Sequence, residues 1–341
     1  MLSEIQTKVR RLENKMETLF SSGGILTMRK ALVIGIDDYQ DYPLNGCVND
    51  AYEMKNVLER NGDGSPNFDV ILITASSEAG KSNLKKMIRE LFSTESDVAL
   101  LYYAGHGMIT STGGFIVTPD GESDDEGISM DEILKLANNS RAKSKMVIMD
   151  CCHAGSFAES EFNEGISSIC KELNIIAACQ PYESAVEGEN GHGVFTSLLV
   201  DALYGGAADV RGCITAGSVY AYIDSALGAW EQRPIFKANV SRFVSIRDIP
   251  PKIPLETLRK IIDYFPVPQE EFPLNPTYEP DSGKGIEENI RIFRDLQKYV
   301  SEGLVKPVGA EHMYYAAIES KSCRLTALGS HYWTLVKQKR I

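Results

Sequence analysis

Long apolar runs are missing from this sequence of 341 residues. No stretch approaches the roughly 20 apolar residues that a membrane-spanning helix needs. Residues 1–20 carry charged side chains throughout, so they cannot form the uninterrupted apolar core of a signal peptide. We therefore expect a protein that stays in the cytoplasm and has no membrane contact.

Cysteine and histidine do not occur in the patterns that disulfide frameworks or zinc sites need. The seven cysteines are odd in number and irregularly spaced, no C-x-x-C pair is present, and there are five histidines. This pattern favours reduced thiols and argues against zinc. Any cysteine with a special role is then expected to be catalytic.

Basic charge is also in short supply. Lysine and arginine number 35 against 47 aspartates and glutamates, which gives a net charge of −12. This balance argues against nucleic acid as the main partner and favours attraction of cationic groups. Acidic solubility alone accounts for it equally well.

The N-terminal segment, residues 1–28, has the apolar spacing of an amphipathic helix. The apolar positions, spaced by three or four residues, are Leu2, Ile5, Val9, Leu12, Met16 and Leu19. The helix either packs on its own domain or docks to a regulatory protein partner, and the spacing leaves both readings open.

Residues 29–249 alternate short apolar runs with helical stretches. The runs that read as strands are "ALVIGID", "FDVILIT", "DVALLYYAGHG", "KMVIMD", "LNIIAAC" and a closing "RPIFKAN". The stretches that read as helices are residues 49–61, 81–92, 130–138 and 194–204. This alternation predicts an α/β domain with a mostly parallel sheet of about six strands, helices on both faces, and a site at the carboxyl ends of the strands.

The C-terminal part is predicted as a separate unit. Residues 250–280 are rich in proline and read as a linker with one short helix, Leu255 to Tyr264, and no strand. Residues 281–341 read as a helix, a hairpin of "MYYAAIES" and "SCRLT", and a closing helix, which is a winged-helix-like α+β arrangement. Its helix "IRIFRDLQKYVSEGL" mixes acidic and basic residues, so a protein partner is favoured over nucleic acid.

Two predicted strands end in reactive residues. "LLYYAGHG" places His106 between two glycines, and "VIMD" is followed by Cys151 and Cys152. Because side chains alternate along a strand, Cys152 is expected on the face of Asp150, and Cys151 on the opposite face. A cysteine and a histidine at neighbouring strand ends can act as nucleophile and proton carrier.

The motifs "YYAGHG" and "DCCHAG", with "KALVIGIDDYQDYPLNGCVNDA" before them and "GHGVFTSLL" and "QRPIF" after them, resemble the caspase-like cysteine peptidases of family C14. The resemblance is to the metacaspase and bacterial caspase-like branch and covers about residues 30–244. It implies His106 as the catalytic histidine and Cys152 as the nucleophile, with the amides of Gly107 and Cys152 as the oxyanion hole. It also suggests an association with bacterial defence or regulated cell death.

The resemblance further implies an acidic pocket for the substrate residue before the cut, formed by Cys47, Asp50 and Asp150. Ala104 stands where the family usually has a serine, which removes one polar contact but no charge. Carboxylates at the base of a pocket suit a guanidinium or an ammonium. Substrates with arginine or lysine before the cut are therefore expected.

Calcium is the one cofactor that the resemblance raises. The nearest matches to calcium-binding acids are Asp120, Asp131 and Glu159, but Met130 replaces one expected carboxylate. A hard cation would thereby lose oxygen ligands, so solvated loop acids and no cofactor are the favoured reading. An activating cut is not expected either, because few residues separate Cys152 from the next strand and the basic residue among them, Lys171, adjoins that strand.

The sequence thus predicts a single-chain cysteine endopeptidase that cleaves after arginine or lysine and is regulated or recruited through its C-terminal unit. Two alternatives are a DNA- or partner-binding regulator with an inert core, and a scaffold that assembles through the N-terminal helix. The first of these would need a broken dyad or a basic appendage, and the sequence shows neither.

Overall fold

The computed structural model describes residues 28–122, 125–152, 154, 157, 159–160, 163–167, 169–179, 191–227 and 233–341. The predicted N-terminal helix lies outside the described residues. The strands are β1 (Arg29–Gly35), β2 (Asp69–Ile73), β3 (Val98–Ala104), β4 (Gly107–Thr110), β5 (Gly113–Glu122), β6 (Asp125–Ser129), β7 (Ser144–Asp150), β8 (Glu159–Ser160), β9 (Asn163–Ser167), β10 (Leu173–Ala177), β11 (Cys213–Thr215), β12 (Ile235–Asn239), β13 (Ser245–Asp248), β14 (Phe272–Pro273), β15 (Val305–Val308) and β16 (Ser322–Leu325). The helices are α1 (Cys47–Glu59), α2 (Lys81–Ser93), α3 (Met130–Asn138), α4 (Val194–Asp201), α5 (Ala216–Ala226), α6 (Leu255–Arg259), α7 (Ile261–Tyr264), α8 (Glu287–Ser301), α9 (Met313–Ile318) and α10 (Ala327–Lys337).

A six-stranded sheet forms the centre of residues 29–249, in the order β12-β10-β7-β3-β1-β2. Its inner pairings are all parallel, and β12 runs antiparallel to β10 at one edge. The predicted α/β class, the strand count and the closing position of "RPIFKAN" are confirmed. Because the crossovers are long, parallel neighbours are joined through helices that cover the sheet.

Side-chain alternation along the central strands divides the core into two layers. On β3, Leu101 and Tyr103 pack with α2 and α3, whereas Leu100 and Tyr102 pack with α1, α4 and α5. All four side chains are fully buried. Strands that are apolar on both faces are what a doubly covered parallel sheet requires.

The register between β3 and β7 fixes what lies at the end of the sheet. Ala104 pairs with Asp150 at the last position of both strands. His106 and Cys152 therefore follow their strands by the same two residues, at neighbouring carboxyl ends. This is the edge at which parallel sheets carry their ligand sites.

Three smaller sheets within the described part of residues 29–249 were not predicted. β4, β5 and β6 form an antiparallel sheet directly after His106, and β11 pairs with β13. β8 pairs with β9 after the end of β7. α4 also continues as one π-helical turn, Ala202–Gly206, which ends around Gly205 at a φ of 144°. Glycine alone adopts that φ without strain.

Two predictions for the C-terminal part are wrong. "MYYAAIES" is not a strand: Met313–Ile318 is helix α9, and β16 pairs instead with β15 and with β14. Residues 250–280 are not a strandless linker, because β14 lies there and pairs with β16. Their apolar side chains also enter a core, since Leu258, Phe265 and Leu274 are buried. The predicted helices at 286–304 and 327–338 are confirmed as α8 and α10.

The C-terminal unit packs against residues 29–249 at the loop before β11. Val210, which precedes β11, is buried in the same apolar cluster as Phe293 and Leu296 of α8. The next residue, Arg211, interacts with the side chain of Tyr332 on α10. No helix among the described residues is long and apolar enough to cross a membrane.

Candidate active site

His106 and Cys152 are brought together by the ends of β3 and β7. A Cβ atom placed on Gly107 would lie 2.2 Å from the Cys152 carbonyl oxygen and 3.0 Å from Cys151 Sγ. Such distances are far below van der Waals contact, so only glycine fits. The glycine after the histidine thus lets the two chain segments touch.

Two tyrosines hold the backbone of His106. The His106 N–H donates to the Tyr39 hydroxyl at 3.0 Å, and the two hydroxyls of Tyr39 and Tyr103 are 3.1 Å apart. The Tyr103 hydroxyl donates to the His106 carbonyl at 2.8 Å and to the Val117 carbonyl at 3.0 Å. Because Tyr103 donates its proton there, its oxygen accepts from Tyr39, and the hydrogen bonds close a ring around His106.

Gly105 makes room for this ring. A Cβ atom at Gly105 would lie 2.5 Å from the Tyr39 hydroxyl and 2.6 Å from that of Tyr103. Burial raises the pKa of both phenols, so both stay protonated and able to donate. The two glycines that flank His106 therefore have separate duties: one admits the tyrosine hydroxyls and the other admits the cysteine segment.

The imidazole of His106 is oriented by the loop between β1 and α1. Its Nε2 lies 2.6 Å from the Tyr42 carbonyl oxygen, which can only accept, so Nε2 carries a proton and Nδ1 is the basic nitrogen. The Tyr39 ring lies against the imidazole, with centroids 4.6 Å apart and planes inclined at 55°. An aromatic face in that place also favours a positively charged imidazolium.

Asp37 shapes the loop that presents this carbonyl. Its carboxylate accepts from the N–H groups of Cys47 at 2.8 Å and Val48 at 3.3 Å, at the start of α1. Its backbone carbonyl accepts from Leu44 at 2.9 Å. Tyr42, between these points, has a φ of 61°, a left-handed conformation that is uncommon for a residue with a side chain.

The two adjacent cysteines differ in environment. Cys151 is buried in the core layer of Tyr103 and Met149, and burial raises the pKa of its thiol well above the ordinary value. Cys152 is partly exposed. A thiol that stays protonated is a poor nucleophile, so Cys152 is the one of the pair suited to attack.

Asp50 and Asp150, here called the acid pair, lie close together on the face of the sheet opposite to Cys151. The Asp50 carboxylate accepts from Gly193 N–H at 2.9 Å and lies 2.9 Å from His192 Nδ1. Asp150 accepts from the Thr196 hydroxyl at 2.7 Å. A Cβ atom on Gly193 would lie 2.8 Å from Asp150 Oδ2 and 3.0 Å from Asp50 Oδ2, so this glycine sits between the two carboxylates.

The acid pair is costly to ionise. Burial, with a further contribution from the charge of Asp50, raises the pKa of Asp150 to about 7. Burial also raises the pKa of Asp50, although Gly193 and His192 oppose this. Two like charges that are withdrawn from water favour any cation that comes between them.

A scan against protein-family models matches residues 28–242 to the caspase domain of the C14 peptidases. This match covers more than half of the chain. The chain belongs to the caspase-domain family. It is therefore a cysteine peptidase of the C14 kind.

Other comparisons add less to this assignment. No curated protein matches the chain. Among solved structures, it is similar to caspase-1 from Spodoptera frugiperda, with 14% sequence identity and a TM-score of 0.48 over 65% of this chain and 91% of that one.

The caspase-domain resemblance named some site residues and missed others. Asp50 and Asp150 lie together as expected, and Cys47, at the start of α1, is buried in the core layer on their side of the sheet. His192, Gly193 and Thr196 were missed as individual residues, although their segment "GHGVFTSLL" carried part of the resemblance. Tyr39 was missed because an apolar strand followed by a tyrosine gives no signal of a contact 67 residues away.

Two of the three calcium candidates, Asp120 and Asp131, have other partners. No group of three or more potential metal ligands occurs among the described residues. Asp120 accepts from the Lys81 N–H at 2.9 Å and so caps α2, and Asp131 forms an ion pair with Lys135 at 2.5 Å. Of Glu159, the structure describes only its place in β8.

Proposed function

We propose that this caspase-domain protein is an endopeptidase that cleaves after arginine or lysine, with Cys152 as nucleophile and His106 as proton carrier. The observation that carries the dyad is the register of β3 with β7, together with the contact of Gly107 with Cys152. The observation that carries the specificity is the acid pair around Gly193.

In the proposed reaction, His106 Nδ1 takes the thiol proton of Cys152 and the sulfur attacks the scissile carbonyl carbon. The amides of Gly107 and Cys152 donate to the oxyanion that forms. The leaving amine takes the proton from His106 as the C–N bond breaks, leaving a thioester. Water, activated by the same nitrogen, then attacks the thioester, and the thiol departs with a proton.

The Tyr42 carbonyl and the Tyr39 ring support this cycle at the point where charge appears. The imidazole gains a positive charge when it takes the thiol proton. A carbonyl oxygen 2.6 Å from Nε2 stabilises that charge and holds the ring at a fixed tilt. The orientation leaves Nδ1 as the nitrogen that exchanges protons.

We further propose that the C-terminal unit regulates or recruits the enzyme without contributing to its chemistry. The central sheet with its strand-end residues is complete at β12, before the C-terminal helices begin. The mixed charge of α8 favours a protein partner.

Turnover of fluorogenic peptides tests the catalytic proposal. Matched peptides with arginine, lysine or aspartate before the cut are compared, and activity on the basic pair that disappears in Cys152→Ala and in His106→Ala is the expected result. Cys151→Ala is the matched control and should keep most of the activity. Preference for aspartate, or turnover that survives Cys152→Ala, would refute the proposal.

A further inference from the structure

His192 lies against the Asp50 carboxylate of the acid pair. Its Nδ1 lies 2.9 Å from Asp50 Oδ1, while Oδ2 of the same carboxylate accepts from Gly193 N–H at 2.9 Å. Both oxygens of Asp50 are thus engaged. Asp150 is bound in turn by Thr196, whose hydroxyl lies 2.6 Å from that of Tyr102.

Contacts of the backbone of residues 191 and 192 with the start of α1 hold His192 in place. Asn49 Nδ2 donates to the Gly191 carbonyl at 3.2 Å, and a Cβ atom on Gly46 would lie within 3.4 Å of Gly191 and His192 backbone atoms. The side chain of Asp50 is 2% exposed, whereas that of His192 is 35% exposed. The imidazole therefore has access to solvent and the carboxylate beneath it has almost none.

We propose that His192 is a specificity-determining residue, an internal cation that an arginine or lysine side chain must displace from Asp50 before it can bind. This inference rests on the proposed function, since it concerns the same acid pair. Protonated, His192 holds Asp50 as an ion pair; neutral, it still donates one hydrogen bond but brings no charge. An imidazolium bound to Asp50 thus competes with the cation of the substrate for the same carboxylate.

Several other titratable groups face this point. They are Asp50 and Cys47 from α1, Asp37 from the preceding loop, Asp150 from β7 and Tyr102 from β3. Asp150 also changes charge near neutral pH and so contributes its own pH dependence. A test must therefore change the charge of His192 itself and compare a cationic substrate with a neutral one of the same shape.

Two substitutions, His192→Asn and His192→Lys, are tested on a peptide pair with arginine or citrulline before the cut. Citrulline keeps the shape of arginine without its charge. With His192→Asn, which removes the competing cation, we expect kcat/KM for arginine relative to citrulline to rise about fivefold. With His192→Lys, a permanent cation, we expect kcat/KM for arginine at pH 8 to fall at least tenfold more than for citrulline. His331→Asn, on the exposed side of α10, is the matched histidine control.

Equal losses for both peptides in both variants would overturn the proposal and make His192 a structural support of Asp50. A second measurement does not depend on turnover: benzamidine, an arginine-like cation, is titrated calorimetrically into the Cys152→Ala protein. Binding at pH 6 should release more protons than in the same protein with His192→Asn. If benzamidine binds with this difference in proton release and the unmodified enzyme cleaves no peptide, the endopeptidase proposal fails and the inference about His192 stands. If benzamidine binds with equal proton release in both proteins, the inference alone is overturned.

Discussion

The Tyr39 hydroxyl lies 3.0 Å from the backbone nitrogen of His106, and the ring of the same tyrosine lies against the imidazole. One side chain from the loop after β1 thus contacts both the main chain and the ring of the histidine that follows β3. We expect this double contact to set the position of His106 more than the stability of the fold.

Tyr39→Phe separates these two contacts, because it keeps the ring and removes the hydroxyl. It leaves the partly buried His106 N–H without its acceptor, which costs about 1 kcal/mol or more. We expect kcat to fall roughly tenfold or more, since each 1.36 kcal/mol on the barrier is about tenfold in rate. KM should change little, because Tyr39 packs on one face of the sheet and the acid pair lies on the opposite face.

The check is a steady-state comparison with Tyr103→Phe as a second variant. Tyr103 bonds the His106 carbonyl and not its N–H, so Tyr103→Phe leaves that N–H with its Tyr39 acceptor and should lower kcat less than Tyr39→Phe. A Tyr39→Phe enzyme with full kcat and an unmoved pH profile would show that the contact is structural.

Asp150→Asn should weaken the enzyme on basic substrates and strengthen the fold. Loss of one member of a buried charge pair typically costs about 2 to 5 kcal/mol of binding, so kcat/KM on arginine peptides should fall at least tens-fold. Peptides with a neutral residue before the cut should lose much less. Unchanged cleavage of arginine peptides by both Asp50→Asn and Asp150→Asn would return the acid pair to a structural role.

The stability effect of Asp150→Asn depends on pH in a defined direction. The pKa of Asp150 is raised to about 7 by burial, so between its ordinary pKa and pH 7 the folded state binds a proton that the unfolded state has released. Stability therefore falls as the pH rises through this window. Asparagine removes the charge, so the variant should melt at a higher temperature than the unmodified protein at pH 8, with a smaller difference at pH 4.5; thermal unfolding followed by circular dichroism at both pH values measures this.

Gly105→Ala and Gly107→Ala should each lower the stability of the fold, through overlap with different atoms. Alanine at 105 meets the hydroxyls of Tyr39 and Tyr103, so the double variant Gly105→Ala/Tyr39→Phe should regain part of the lost stability. Alanine at 107 meets the backbone carbonyl of Cys152, which no side-chain truncation relieves. Equal recovery of both glycine variants by Tyr39→Phe would contradict this assignment.

Removal of residues after Ile249 should leave a folded catalytic part with altered control. β13 ends at Asp248 and stays paired with β11, so the truncation cuts no strand of the central sheet. Val210 loses its apolar cover, however, and Val210→Ser in the truncated chain should improve solubility. Peptide turnover and circular dichroism of the truncated chain provide the check; an insoluble product in both forms would count against a separable unit.

The parts of the molecule that follow from local pattern could be predicted from the sequence. Parallel strands buried on both faces leave apolar runs, so all six central strands and their edge were foreseeable. The strand "MYYAAIES" was mispredicted because two adjacent tyrosines suit a strand, whereas packing of Met313, Ala316 and Ala317 at helical spacing decided in favour of α9. Propensity gave way to tertiary contacts there.

The long-range contacts of the site could not be predicted. No sequence pattern near Tyr39 predicts its hydrogen bond to His106. Asp50 and His192, which are in contact, are 142 residues apart in the sequence. Cys151 and Cys152 are the opposite case, since strand alternation predicts different faces for neighbours. Strand alternation predicts the faces of neighbouring residues, but it does not predict contacts between residues far apart in the sequence.

Val210 is covered by residues of the C-terminal unit, which are synthesised after it. The ribosome delivers residues 29–249 before the helices of the C-terminal unit, and domains fold as units while the chain grows. During that interval Val210 stands at the surface as an apolar side chain without its eventual neighbours on α8. Arrival of Phe293 and Leu296 covers it, so the last part of the chain to be made completes a loop that was folded before it.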